Sequence, residues 1–286
     1  MRTGQAVARD VALLRRWWFA ASLVLALACW AQDALAQQAK GASGHVRVLD
    51  RVKARGHVRV CIWPDYYGIT YRDPRSQRLS GIDIDLSTEL ARDLGVGLRH
   101  VDSSFATLID DVLGDRCDVA MFAVGMLPQR QARLRFTRPY LESDIYGVTT
   151  RSNAVVRQWS DIDKPGVNVA VAAGTFMEPV MKERLQQAHV VSVRAPDTRE
   201  AELEAGRVDV FMTDFPYSRR LLDNADWALL VSPPAPFFVL PYGYAMRPGD
   251  DAWHAELDGF VARIQGDGRL QAAARRHGLM PIVRLK

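Results

Sequence analysis

Three cysteines and six histidines are scattered over 286 residues, with no C-x-x-C pair and no Cys/His spacing of the kind that holds zinc. Neither a metal centre nor a cofactor is expected. No low-complexity tract occurs, and beyond residue 36 no apolar stretch is long enough to cross a bilayer. Clusters of Lys and Arg interleaved with aromatics are missing too, which removes the usual footprint of a nucleic-acid binder. What remains is a chain that is 48% hydrophobic. It can bury a core, and its length suits one large domain or two ordinary ones.

The first 36 residues differ from the rest. Arg2, Arg9, Arg15 and Arg16 precede an apolar run over 17–31, and Ala34-Leu35-Ala36 places small residues at alternate positions. A basic start, a short apolar stretch and an A-x-A site form a secretory signal peptide over 1–36. At about 1.5 Å per residue, the run falls short of the ~30 Å hydrocarbon core, which argues against a spanning anchor. Arg15-Arg16 lacks the wider twin-arginine motif, and Ala26 stands where a lipoprotein site at Cys29 prefers leucine. The expected location is the periplasm. Residues 1–36 hold four basic and two acidic groups, so removing them turns totals of 37 and 33 into 33 and 31, a net of +2. Cys61 and Cys117 are then the only cysteines. They can pair in an oxidising compartment only if the fold brings their Cα atoms within ~7 Å.

The rest of the chain alternates strand and helix. After a polar leader over 37–48, strand patterns at 57–62, 98–101 and 118–123 are separated by helical patterns at 82–94 and 105–113. A loop or loose hairpin occupies 63–78. The rhythm restarts with strands at 167–171, 190–193 and 208–212 and helices at 178–187 and 199–205. Such an order signals parallel strands with crossover helices. A last strand at 242–246 and a helix at 251–264 are expected to return to the first unit. The fold class is therefore α/β with two lobes, each a mostly parallel sheet flanked by helices, joined by a two-strand hinge. Lobe 1 is expected from 45–147 and 243–286, and lobe 2 from 148–242.

Open α/β sheets bind ligands beyond the carboxyl ends of their strands. That rule selects Trp63 and Tyr66 after the first strand, Gly125 and Arg130 after the third, and Gly174 and Thr175 after the fourth. It also selects Asp214, at the end of the last strand of the second unit. Arg130 can grip a carboxylate through two parallel charge-assisted hydrogen bonds. Gly174 and Thr175 at a helix start can offer backbone N–H groups and a hydroxyl to the same anion. Asp214 can neutralise an ammonium, while Tyr66 and Phe105 can pack on the remaining side chain. A cation and an anion facing one cleft fit a zwitterion, hence an α-amino acid. Each residue also has a plainer role: Arg130 lies in a basic stretch, Thr175 and Asp214 can cap helices, and Tyr66 and Phe105 can be core.

On these residues the chain resembles the periplasmic polar-amino-acid-binding proteins of ABC importers, solute-binding protein family 3. The matching stretches are Gly81-Ile82-Asp83-Ile84-Asp85-Leu86, Asp118-Val119 onward to Pro128-Gln129-Arg130, and Phe136-Thr137-Arg138-Pro139-Tyr140. Ala173-Gly174-Thr175 and Val208-Asp209-Val210-Phe211-Met212-Thr213-Asp214 complete the set. The resemblance implies a type II periplasmic-binding fold acting as a monomer, with an ABC permease as partner and no nucleic acid. It also implies roles: Arg130 for the ligand carboxylate, Thr175 as a second-lobe anion contact, Asp214 for the ammonium and Tyr66 as an aromatic cover. The chain departs from the family at Gly125 and Leu127, where Thr or Ser is common, at Gln129, where Glu is usual, and at Trp63, where some members carry an acid. Two other resemblances imply different functions. Gly174-Thr175-Phe176-Met177-Glu178 is similar to the second-lobe loop of cyclohexadienyl dehydratases, which would make Glu178 a catalytic acid that must stay protonated near neutral pH. Cys61 and Cys117 in their strand contexts are similar to accessory binding-protein-like partners of periplasmic quinoprotein dehydrogenases.

Overall fold

The computed structural model describes residues 47–285. The expected signal peptide over 1–36, the Cys29 site and the leader up to 46 lie outside the described residues. A helix, α1 (Val48–Arg55), begins where the leader was expected to end, and β1 (His57–Ile62) follows it. A ribbon of β2 (Tyr71–Arg72) and β3 (Leu79–Ser80) occupies the expected loose hairpin. Next come α2 (Ile82–Leu94), β4 (Gly97–Asp102), α3 (Leu108–Leu113) and β5 (Val119–Gly125). The chain continues through α4 (Pro128–Gln131), β6 (Arg135–Phe136) and β7 (Leu141–Ser143), and β8 (Ile145–Thr150) then opens the second lobe. That lobe holds β9 (Asn168–Ala172), α5 (Met177–Arg184), β10 (His189–Val193), α6 (Arg199–Glu204), β11 (Val210–Asp214), α7 (Phe215–Leu222) and β12 (Ala228–Val231). Finally β13 (Leu240–Met246), α8 (Asp251–Gly266) and α9 (Arg269–Arg276) return to the first lobe.

The first sheet runs β4-β1-β5-β13-β6, with β7 also paired to β13, and the second runs β10-β9-β11-β8-β12. Each sheet is parallel only across its βαβ strands, β4-β1-β5 and β10-β9-β11. The strands that carry the chain between lobes join antiparallel: β13 on β5, and β8 on β11. The sheets are thus mixed rather than mostly parallel. A strand that enters from the other lobe without a crossover helix is free to run in the opposite direction.

Sheet membership changes at Asp144 and again between Val231 and Leu240. The expected lobe boundaries at 147/148 and 242/243 fall inside β8 and β13, about three residues late in both cases. Residues Leu240 and Ser143 pair, so the two passages lie side by side. Asp144 fastens them together, accepting the backbone N–H groups of Phe237 at 2.7 Å and Phe238 at 2.6 Å.

Two segments show why the elements form where they do. All seven residues of β5 are buried, as a strand covered on both faces requires, which is why it reads as a continuous apolar run. Helix α2 starts at Gly81, whose φ is 134° and where a Cβ would lie 2.2 Å from the Ile69 carbonyl oxygen, so only glycine fits. Asp83 and Asp85 sit in its first turn, favoured by the helix dipole, and Gly95 ends it in the left-handed region. Helix α3, by contrast, starts at Leu108 and not at 105. That leaves Phe105 in a turn before the helix, where its ring is free to face the gap between the lobes. No helix among the described residues is long and apolar enough to cross a membrane.

Candidate functional site

A cavity of about 20 Å³ lies between the lobes, roughly the room one water needs. From lobe 1 it is lined by Trp63, Tyr66, Phe105 and Ala123, and from lobe 2 by Thr175, Arg199, Thr213, Asp214 and Tyr217, among others. Of the residues selected at strand ends, Trp63, Tyr66, Thr175 and Asp214 thus come to one place, together with the expected packing ring Phe105. The three aromatic rings of lobe 1 pack on one another at centroid distances of 5.2–5.8 Å.

Arg130 sits beside this cavity and is 5% exposed. Its guanidinium lies 5.0 Å from the Phe105 ring centroid and donates across the gap to the Gly174 carbonyl at 2.9 Å. A second donation goes to the Gly125 carbonyl at 3.2 Å. Gly125 thus holds Arg130 and does not line the cavity. Burial lowers the Arg130 pKa to about 10, which still leaves the group charged at neutral pH.

Asp214 is buried and accepts three hydrogen bonds. Tyr66 and Tyr242 donate their phenols to one oxygen, Tyr242 at 2.8 Å, and the Tyr217 N–H donates to the other at 3.2 Å. The last contact caps α7, so the capping role and a cleft-facing position coexist in one side chain. Burial pushes the Asp214 carboxyl up, against the pull of these donors and of Arg199. Tyr66 and Tyr242 also lie near Arg130.

The loop at Gly174 corrects one expectation. Thr175 turns both its N–H and its hydroxyl back onto the Ala172 carbonyl, at 3.2 and 2.7 Å, so neither is offered to an anion in this closed arrangement. The Gly174 N–H goes to Glu178 at 2.8 Å. Gly174 itself, with φ of 79°, approaches the other lobe so closely that a Cβ would lie 2.7 Å from Ala106 backbone atoms. Glu178 stands outside the cavity. Its carboxylate also accepts from Lys182 at 2.8 Å and Ser192 at 2.7 Å. Burial opposes ionisation, but these donors outweigh it and hold the pKa at about 2. A protonated Glu178, as a catalytic acid would need, does not fit this setting.

Sequence reasoning missed Arg199, Tyr217 and Tyr242. Arg199 is buried at the start of α6, donates to the Met212 carbonyl at 2.7 Å and lies over the Tyr217 ring at 4.6 Å. A lone arginine opening a charged helix looks solvated in sequence. The alternation in Leu240-Pro241-Tyr242-Gly243-Tyr244 was the one available signal for Tyr242.

In the cavity wall, Ala123 adopts a φ of 48°, rare for a residue with a Cβ. Its N–H is held by Asp83 at 3.0 Å, and the same carboxyl accepts from Tyr140 at 2.5 Å and Tyr244 at 3.1 Å. Burial raises the Asp83 pKa to about 7, against the pull of these three donors. An unfolded Asp titrates near 4, so the native state keeps this proton where the unfolded chain has lost it. The associated stability is complete below about pH 4 and is lost as pH rises through about 7. Asp83→Asn removes the titration, so denaturation midpoints of the variant are expected to lack the decline that wild type shows between these pH values. Parallel profiles for the two proteins would contradict this account.

With this geometry in hand, comparisons place the chain among known proteins. The model of the bacterial extracellular solute-binding proteins, family 3, matches residues 58–280. A cyclohexadienyl dehydratase of Pseudomonas aeruginosa is 30% identical over 250 residues, covering 87% of this chain and 91% of that protein. The L-cystine-binding protein TcyJ of Escherichia coli is 25% identical over 229 residues, covering 80% and 85%. Among solved structures, an ancestral amino acid-binding protein, a precursor of cyclohexadienyl dehydratase, superposes with a TM-score of 0.72 at 27% identity, covering 80% of this chain and 98% of its own. The match runs through both lobes and over every residue lining the gap between them: the chain belongs to the bacterial extracellular solute-binding proteins, family 3.

Proposed function

We propose that this protein captures a free amino acid, as its zwitterion, in the periplasm and presents it as a monomer to an ABC permease. One observation carries the reading: Arg130 from lobe 1 and Asp214 from lobe 2 turn into the same interlobe gap, each held by groups of the opposite lobe. In the closed arrangement Arg130 grips a backbone carbonyl, a weaker partner than the carboxylate that its planar fork suits. The cavity holds about one water, so capture requires the lobes to part at the two passages fastened by Asp144. On closing again, the ligand carboxylate replaces the Gly174 carbonyl, the Thr175 hydroxyl turns from Ala172 toward it, and the ammonium meets Asp214. Only contacts better in the closed state can drive that step. A thermal-shift screen of the chain without residues 1–36 is expected to raise the melting midpoint for at least one amino acid. A flat response to all of them, with no heat in calorimetry, would remove the reading.

A second reading is kept because of the Pseudomonas aeruginosa relative, a dehydratase. Against it stands Glu178, ionised by Gly174, Ser192 and Lys182 and absent from the cavity wall. Incubation with prephenate is therefore expected to yield no phenylpyruvate by absorbance. Its appearance at enzymatic rates would make the chain a catalyst. The accessory-partner reading rests on the bonded pair Cys61–Cys117 alone. The large exposed apolar side chains among the described residues, Val155, Val239, Met280 and Leu285, stand on separate stretches of chain and add nothing to it.

A further inference from the structure

The left-handed turn at Ala123 joins the cavity wall to a buried carboxyl outside it. A residue with a Cβ keeps such a conformation only where its surroundings hold it there. Here the holder is Asp83, whose carboxyl accepts the Ala123 N–H at 3.0 Å. The same carboxyl fastens both segments that carry the chain between the lobes. It accepts from Tyr140, just before β7, at 2.5 Å, and from Tyr244 of β13 at 3.1 Å. These two rings pack together at a centroid distance of 4.5 Å, and Tyr140 also lies near Tyr66, one of the phenols on Asp214. Asp83 thus touches the cavity wall and both passages without lining the cavity itself.

The titratable groups that face this carboxyl are the two phenols. β5 carries no ionisable side chain. On the other elements packed against α2, the charged groups are engaged elsewhere. Arg59 of β1 is bonded to Asp115 and Asp118, and His100 of β4 to Ser87 at 3.0 Å. Arg276 and His277 at the end of α9 both meet Asp85 at 2.9 Å, and Arg269 meets Asp93 at 2.8 Å. With two phenols and one N–H as partners, burial dominates and Asp83 titrates at about 7. An ionised carboxylate accepts the Ala123 N–H in a charge-assisted bond, stronger than the bond to a neutral carboxyl. An ammonium bound at Asp214 adds a positive charge on the Tyr66 side, which favours the ionised form too. We propose that Asp83 is a positioning residue for ligand capture: on losing its proton it tightens its hold on Ala123, and the cleft then takes its ligand more strongly. The inference rests on the amino-acid reading above.

The test begins by titrating each standard L-amino acid into wild type in a calorimeter; the tightest binder is the probe. Its affinity for wild type and for Asp83→Asn is then measured from about pH 5.5 to about pH 8. Asn keeps the shape and an acceptor for the Ala123 N–H, but stays neutral as protonated Asp does. The ratio of wild-type to variant affinity is expected to be about 1 at the acid end and about 10 at the other. That factor separates a charged hydrogen bond from a neutral one. The rise ends near pH 7, because the ligand lowers the titration of Asp83 from its free position there. Asp214, whose carboxyl burial also pushes up, is present in both proteins and cancels in the ratio. A purely structural Asp83 would change affinity by the same factor at every pH. A constant ratio therefore overturns the proposal while amino-acid binding stands. So does a wild type that releases no proton on binding near neutral pH, read from the heats in phosphate and in Tris without any variant. If no amino acid binds wild type at any pH, the underlying reading fails and this one with it.

Discussion

Arg130→Ala is expected to weaken the binding of any amino-acid ligand by about 100-fold or more. A charged hydrogen-bond contact contributes about 1.5–3 kcal/mol, and the upper end of that range corresponds to a factor above 100. Two features of the structure place Arg130 toward that end. The group is 5% exposed, so its contacts are little screened by water, and the Phe105 ring beneath it fixes the plane of its fork. The variant should still fold. Within its own lobe Arg130 satisfies only the Gly125 carbonyl, and its other bond reaches across the gap to Gly174. Arg130→Lys separates charge from shape, since it keeps a cation but loses the paired donors, and its affinity should fall between wild type and alanine. Titration of each variant with the tightest wild-type ligand, alongside circular dichroism, measures both effects. Undiminished affinity in Arg130→Ala would show that the carboxylate is held elsewhere.

Loss of the Cys61–Cys117 bond is expected to have the largest effect on stability. The two cysteines are 56 residues apart in sequence, and their Cα atoms are 5.5 Å apart. Closing a loop of that length in the unfolded chain corresponds to about 4 kcal/mol in the chain-entropy picture. For a protein of this size that is a fall of about 10 °C in melting midpoint. Both side chains are buried, at 0% and 3% exposure, so the paired substitution Cys61→Ser and Cys117→Ser also leaves two hydroxyls in an apolar setting. Cys→Ala at both positions isolates the cross-link from that burial penalty. Scanning calorimetry of the double alanine variant, against oxidised and reduced wild type, should place the variant and the reduced protein together, well below the oxidised one. A variant as stable as the oxidised wild type would mean that the unfolded chain is already constrained in this region.

The pairing itself was not legible. Cys61 and Cys117 stood out as the only two cysteines beyond the first 36 residues, but nothing local says that they meet. They meet because β1 and β5 lie side by side in parallel, with Val60 opposite Val119 and Cys61 opposite Ala120. The cleft divides along the same line. Trp63, Tyr66, Thr175 and Asp214 could be named in advance because each follows a strand whose apolar run is plain, and strand ends in such sheets share one edge. Arg199 and Tyr242 could not. One depends on how α6 packs over β11, and the other on β13 returning from the far lobe to pair with β5. Glu178 shows the limit for chemistry. Its motif suggested an acid, but Lys182 one helical turn on, the Gly174 N–H and Ser192, fourteen residues later, hold its carboxylate ionised.

Two lobes of alternating strand and helix, and the placing of Arg130 and Asp214 just beyond strand ends, follow from local patterns, because apolar periodicity and strand ends are properties of short segments. The antiparallel strands at the passages and the phenols on Asp214 depend on which distant segments become neighbours. Burial and hydrogen bonding are settled by those neighbours, and no window of sequence contains them.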